Sequence, residues 1–307
     1  MKLLQIKHIN YTSPVKKKQI VKTLKTGNEV LDHFISEAGG FVTGSAIFLT
    51  GTPGAGKTTL AYMIQKLLEG YKTSLYSREM SKDSVMEQMQ RYEIKHKNAF
   101  ITDRSMYKNI EEYIKDLDIF MPSLVIIDSL QIILEEDFAN SPPEKSAFNI
   151  IQSLRDWTDK NSAVLIVIGH VNKDGSFEGK NTIEHLFDAH LEMIFNKVKG
   201  TRILSWAKNR KGPIEDVLYY IFGKETIEFY TKEQYQRIKD DKKLEDFIFE
   251  SIISYMKSLD RTSPNYKIFR SEIKKEIDSV MKEKSKIIDS SLKCIKIIEK
   301  KVKKYNI

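Results

Sequence analysis

Eight residues, Gly51-Thr52-Pro53-Gly54-Ala55-Gly56-Lys57-Thr58, constrain this chain more than any other stretch. They stand between an apolar run of strand length, Ala46-Ile47-Phe48-Leu49-Thr50, and a stretch over residues 58–68 that reads as a helix. A strand that passes into a helix through glycines lets several backbone N–H groups converge on one anion at the helix N-terminus, where the helix dipole adds its attraction. Lys57 brings a positive charge to the same place, and the Thr58 hydroxyl offers an oxygen to a hard cation. The spacing G-x-x-x-x-G-K-[ST] therefore predicts a phosphate-binding loop over Gly51, Thr52, Pro53, Gly54, Ala55, Gly56, Lys57, Thr58 and Thr59. Its expected ligand is ATP, with Lys57 on the β and γ phosphates and Thr58 on Mg2+.

Two further segments fit the same chemistry. Leu124-Val125-Ile126-Ile127-Asp128 reads as a buried strand ending in a carboxylate, which can hold Mg2+ through water. Glu79 follows a strand-like run over residues 73–77, expected beside the strand that feeds the phosphate loop. From there it can orient and deprotonate a water in line with the γ phosphate.

With 307 residues the chain has room for one α/β domain of roughly 200 residues and an accessory segment of about 70. Apolar strand-length runs alternate with helix-like stretches, the sign of a mostly parallel sheet with crossover helices. Residues 163–168 form a further expected strand. Residues 190–195 and 201–207 read as an antiparallel pair turned at Lys199-Gly200, and 217–222 and 226–229 as another around Gly223. The expected division is a basic lead-in over 1–25, a core over 26–231 and a helical segment over 240–307. Leu244, Phe247, Ile248, Ile252 and Tyr255 make one apolar stripe in the last of these.

Composition narrows the classes. Hydrophobic residues at 41% and charged residues at 30% describe a soluble globular chain. No apolar run approaches the roughly 20 residues that span a bilayer, and the start is soon broken by charge, so a cytoplasmic protein without a membrane partner is expected. The lone Cys294 excludes an internal disulfide and a cysteine-cluster zinc site. The net charge is +8, and residues 231–307 hold 20 Lys and Arg against 13 Asp and Glu. A field of that sign favours a polyanion, although a lysine-rich solvated surface has the same composition. Residues 286–304 can form the last helix of a helix-turn-helix unit, with Lys293, Lys296 and Lys300 free for phosphates; docking of a protein partner and a passive helical cap are the other readings of this segment.

At these motifs the sequence resembles the RecA-type ATPases, and most closely the bacterial RadA (Sms) branch, which is related to DnaB-type helicases. The resemblance rests on Thr26-Gly27-Asn28-Glu29-Val30-Leu31-Asp32 before the loop, Ser77-Arg78-Glu79-Met80-Ser81, Ile127-Asp128-Ser129-Leu130-Gln131, Gly169-His170-Val171-Asn172-Lys173, and Lys208-Asn209-Arg210-Lys211-Gly212. It covers residues 22–230. The branch has Phe where this chain has Lys211, and its zinc element is not expected here. The resemblance implies a RecA-like core and a ring, expected to be a hexamer, around single-stranded DNA. It also implies that Lys208 and Arg210 reach the ATP of a neighbouring subunit. His170 and Gln131, at the ends of core strands, would sense the γ phosphate, unless they are simply satisfied polar residues at the sheet edge. Lys173 and Lys180 would track single-stranded DNA. The expected activity is a DNA-dependent ATPase that translocates or unwinds in replication or recombinational repair, with replication or recombination proteins as partners of the C-terminal segment. Two rivals stay open: an ATP-switched recombination mediator or helicase loader that does not translocate, and a KaiC-like ATPase acting on protein partners.

Overall fold

Every residue of Ala46–Gly51 is buried, and a run covered on both faces finds its hydrogen-bond partners only in the middle of a sheet. It is strand β3 of the computed structural model, which describes residues 21–78, 80–94, 97–137, 142–169, 183–196, 201–214, 216–223, 226–240, 242 and 300. Before it come β1 (Thr23–Leu24), α1 (Glu29–Ile35) and β2 (Phe41–Val42). After it come α2 (Lys57–Leu67), β4 (Thr73–Ser77), α3 (Lys82–Arg91), β5 (Ala99–Ile101), α4 (Ile110–Phe120), β6 (Leu124–Asp128), α5 (Leu130–Asp137) and α6 (Pro143–Asn161). The chain continues through β7 (Val164–Ile168), β8 (Ala189–Asn196), β9 (Thr201–Asn209), β10 (Val217–Phe222) and β11 (Ile227–Tyr230).

Among the described residues the central sheet runs β11-β10-β9-β8-β3-β7-β6-β4-β5. The strands from β8 to β5 are parallel, whereas β9, β10 and β11 return antiparallel. Alternation along β3 feeds two cores. Ile47 and Leu49 pack with α1 and α2 on one face, and Ala46 and Phe48 pack with α4, α5 and α6 on the other. This is the α/β, mostly parallel architecture that the strand pattern predicts.

The Thr26–Asp32 stretch before the loop is held by one carboxylate. Asp32 accepts from Thr26 N at 2.9 Å, Thr26 Oγ1 at 2.8 Å and Gly27 N at 3.3 Å, while the Asn28 side chain caps α1 through Leu31 N at 2.9 Å. The Gly40 amide closes the unit on Asp32 O at 2.8 Å. A Cβ at Gly40 would collide with the Leu24 carbonyl, so the chain crosses β1 where only glycine fits.

The structure departs from expectation in several places. Strand β4 is not the neighbour of β3; β7 and β6 lie between, so the strand leading to Glu79 stands beside the Asp128 strand. Thr23 and Leu24, expected in the lead-in, pair with Phe41–Val42. Strand β9 continues through Asn209, two residues beyond expectation, because Asn209 still pairs with Ala189. The short strand β5 lacks the alternation that would have marked it. The chain divides into two units after Thr231. Residues 232–240 are helical, and the expected helices beyond them, like the Lys199-Gly200 turn, lie outside the described residues apart from single positions. Among the described residues, no helix is long and apolar enough to cross a membrane.

Replacing Asp32 by Ala strands three donors in a mostly buried turn. Stability to denaturant should fall by about 2–3 kcal/mol, read as a lower urea midpoint, with Asp32→Asn milder. A midpoint unchanged by Asp32→Ala would show that the turn does not depend on this carboxylate.

Candidate nucleotide-binding site

The loop between β3 and α2 is built to stay open. Thr52, Pro53 and Gly54 are exposed, whereas Ala55 is fully buried and anchors the loop from below. Gly56, immediately before α2, has φ +103°. A Cβ there would also lie 2.5 Å from the Phe222 ring. Both the backbone conformation and the aromatic neighbour demand glycine. The first residue of α2, Lys57, is buried, and its Nζ donates to Gly51 O at 2.8 Å. The ammonium is thus drawn across the hollow of the loop, at the positive end of α2.

Strand β10 supports this loop from the side. Tyr220 Oη donates to Ala55 O at 3.0 Å, and burial pushes its pKa up to about 12, so it remains a protonated donor at neutral pH. Arg202 lies 4.0 Å from the Phe195 ring centroid and 5.4 Å from that of Phe222, leaving a flat cationic and aromatic stack next to Gly56. Thr58 and Thr59 are half-buried in the first turn of α2, with Thr59 Oγ1 3.5 Å from Tyr92 Oη.

Asp128 ends β6, nearly fully buried and in register with Ser77, the last residue of β4. Tyr62 on α2 titrates well above the ordinary range, chiefly through burial, then through the Asp128 carboxylate, then through Tyr92. Strands β3, β7 and β6 are parallel, so Asp128 ends at the same edge of the sheet as Gly51. The structure therefore brings Lys57, Thr58 and Asp128 to the same edge of the sheet. A loop of backbone donors, one lysine, one hydroxyl and one carboxylate is a donor set that fits a nucleotide triphosphate with Mg2+, since Mg2+ keeps several waters and needs few protein ligands. Gln131, expected at a strand end, is instead in the first turn of α5, because the helix begins at Leu130. Glu79, His170, Lys173, Lys180, Lys293 and Lys296 lie outside the described residues; Lys300 is exposed and helical.

Lys208 and Arg210 sit elsewhere. Strand β9 runs against β8, so its last residues return to the edge where β3 begins: Arg210 N donates to Asp188 O, and Asp188 N to Ala46 O. Ala46 stands five residues before Gly51 on β3, about 17 Å at the usual strand rise. The ladder between β8 and β9 also slips by one residue, pairing His190 with Lys208 but Leu191 with Trp206. Without that bulge Lys208 would follow Trp206 onto the apolar face of α1. With it, Trp206 Nε1 and Asn209 Nδ2 donate to Phe34 O and Ile35 O, while Lys208 turns to the opposite face. There Lys208 Nζ donates to Phe187 O at 2.6 Å and Glu184 O at 3.3 Å. Its pKa is lowered, first by burial, then by Arg210, against the pull of Asp188 and Glu184.

Asp188 organises this edge. Its carboxylate accepts from Ala46 N at 3.0 Å and from Arg155 at 3.2 Å, and Arg210 Nη1 lies 3.8 Å away with a side chain 57% exposed. Sequence reasoning missed Asp188, Tyr220, Phe222 and Arg202. The spacing of Tyr220 and Phe222 signals one face of a strand, but nothing in the sequence says that the face meets the loop.

Gly56→Ala should lower stability by about 1–3 kcal/mol through left-handed backbone and the Phe222 collision, and should abolish binding of a fluorescent ATP analogue. At Gly54, also left-handed at φ +78° but in open space, Ala should cost only the smaller backbone part, on the order of 1 kcal/mol. Equal effects in melting and titration would contradict this role for Phe222.

Residues 24–100 match the family model described as ATPase: KaiC. The chain is 32% identical over 183 residues to DNA repair protein RadA of Chlamydia muridarum, covering 59% of this chain and 40% of that protein. It is 28% identical over 197 residues to DNA repair protein RadA of Aquifex aeolicus, covering 64% and 43%. The chain thus spans about two fifths of the length of these relatives. Among solved structures, the RadB recombinase aligns with TM-score 0.54 and 22% identity over 67% of this chain and 98% of its own. A KaiC-like protein of Pyrococcus horikoshii aligns with TM-score 0.53 and 16% identity over 68% and 99%. With the phosphate loop and the strand order, residues 24–100 are thus similar to the ATPase: KaiC family, and the core has the α/β fold of the RadB recombinase and the KaiC-like protein.

Proposed function

We propose that this domain binds Mg2+–ATP at Gly51–Thr59 and hydrolyses it at interfaces between copies of the chain arranged in a ring. The cycle then drives movement along single-stranded DNA in recombination or repair. The observation that carries this reading is the separation of the two charged sets. Lys57, Thr58 and Asp128 share one edge of the sheet, whereas Lys208 and Arg210 end a strand that runs the other way. A cation serving phosphate chemistry from that far edge must serve a nucleotide on another copy.

Within one chain, Lys57 and the loop amides hold the phosphates, and Thr58 and Asp128 hold the cation, which supplies charge neutralisation on the phosphates. Glu79 takes the proton of the attacking water. Gln131 and His170 respond to the γ phosphate. The Phe222 ring and the Arg202 guanidinium offer a stacking surface to the purine. From the neighbour, Lys208 and Arg210 stabilise charge as the bond to the leaving phosphate breaks. Lys173 and Lys180, with Lys293, Lys296 and Lys300 of the basic C-terminal segment, bind the DNA backbone. RadA is named as a DNA repair protein, and that name favours DNA as the polymer. A KaiC-like ATPase acting on a protein partner in place of DNA is the second reading, and the match of residues 24–100 to the ATPase: KaiC model is compatible with it.

Steady-state hydrolysis separates these readings. Lys57→Ala should abolish ATP binding or turnover. Glu79→Gln should bind ATP and lose turnover by about 100-fold or more, the usual worth of a general base. Single-stranded DNA should raise the parent rate, less so at higher salt. Parent-rate hydrolysis by Glu79→Gln would assign the base elsewhere, and a rate indifferent to DNA would favour the protein partner. Strand displacement on forked DNA distinguishes a translocating motor from a mediator that only grips and releases.

A further inference from the structure

His190 occupies a buried position of β8 between Ala189 and Leu191, and a buried polar side chain in a strand needs partners. Its partners belong to separate parts of the machinery. The imidazole Nε2 lies 2.7 Å from Thr50 Oγ1, and Thr50 immediately precedes Gly51, where the phosphate loop begins. Across the ladder His190 stands opposite Lys208, an alignment created by the bulge in β9. Its Nδ1 lies 3.9 Å from Glu184 Oε1, and the Glu184 carbonyl is one of the two that hold the Lys208 ammonium. The ring is tilted against Phe48, centroids 5.2 Å apart, beside a pocket of about 190 Å³ lined by Phe48, Glu184, Phe187, Glu192, Ala207 and Lys208.

We infer that His190 is a positioning residue that couples the phosphate loop to Lys208. Thr50 follows any shift of the loop when Lys57 exchanges its bond to Gly51 O for a phosphate oxygen. His190 passes that shift to Glu184 and, through the Glu184 carbonyl, to Lys208. A loop filled on one edge of the sheet thereby sets the cation that works on the other edge, which links the nucleotide state of one copy to the site of the next. The inference rests on the reading given under Proposed function.

The test uses the full chain and ATPγS with Mg2+, following nucleotide binding by fluorescence competition and backbone order by hydrogen–deuterium exchange. ATPγS should change exchange in peptides covering 183–190 and 201–209 of the parent. His190→Ala should bind ATPγS, yet lose at least about fivefold of that change, the lower end of site-to-site coupling. His190→Gln keeps an amide able to meet Thr50 Oγ1 and should recover a large part of it. Thr50→Val, which keeps the shape and removes the hydroxyl, should behave as His190→Ala does and carries the comparison should that variant fail to fold. A parent-like change in His190→Ala or Thr50→Val, no recovery in a folded His190→Gln, or no change in a parent that binds ATPγS would each overturn the inference. A parent that does not bind ATPγS fails earlier and overturns the proposed function itself.

Discussion

Strand β9 runs against β8, and that direction separates two sets of charged groups by most of the length of the sheet. Parallel strands deliver their C-terminal ends to one edge, so Gly51, Ser77 and Asp128 collect there with the start of α2. An antiparallel return delivers its end to the other edge, and Lys208-Asn209-Arg210 is such an end. Arg210 follows Asp188 beside Ala46, about 17 Å of strand from Gly51, and Lys208 is held on the Phe187 and Glu184 carbonyls. Within one chain the loop end of the sheet and the Lys208-Asn209-Arg210 end therefore stand apart, which is what the proposed sharing of a site between copies requires.

Each half is held by contacts from remote segments of the chain. The loop depends on Tyr220 below Ala55 and Phe222 against Gly56, both from β10, three strands away from β3 in the order of the sheet. The far edge depends on Asp188, which pins Ala46, Arg155 and Arg210, and on the bulge that keeps Lys208 off the apolar face of α1. Arg210 itself stays more than half exposed.

Much of the fold was legible in the sequence. Runs such as Leu124–Asp128 and Val164–Ile168 are apolar on both faces, which marks central parallel strands, and Gly-Lys-Thr after Ala46–Gly51 marks the phosphate loop. Strand order was not legible in the same way. The sequence expectation put β4 next to β3, because nothing local records which crossover passes over which strand; β6 and β7 enter between them from residues some fifty to ninety positions later. The site was legible where one segment carries the chemistry, as at Lys57 and Thr58, and obscure where remote segments converge. Asp188, Phe222 and His190 matter through neighbours 140 residues or more away, such as Ala46, Gly56 and Thr50.

The claim that one copy completes the site of the next is tested most directly by mixing two inactive variants. Lys57→Ala removes the loop lysine, and Arg210→Ala removes the cation of the opposite edge, where loss of an arginine finger costs about 10³–10⁵ in turnover. Each alone should be inactive, with Arg210→Ala still binding ATP. Mixed copies form some interfaces that pair an intact loop with an intact Arg210, and ATP hydrolysis should reappear in the mixture. A mixture as inactive as its components, with co-assembly verified, or an Arg210→Ala protein that hydrolyses ATP at the parent rate, would contradict a site shared between copies.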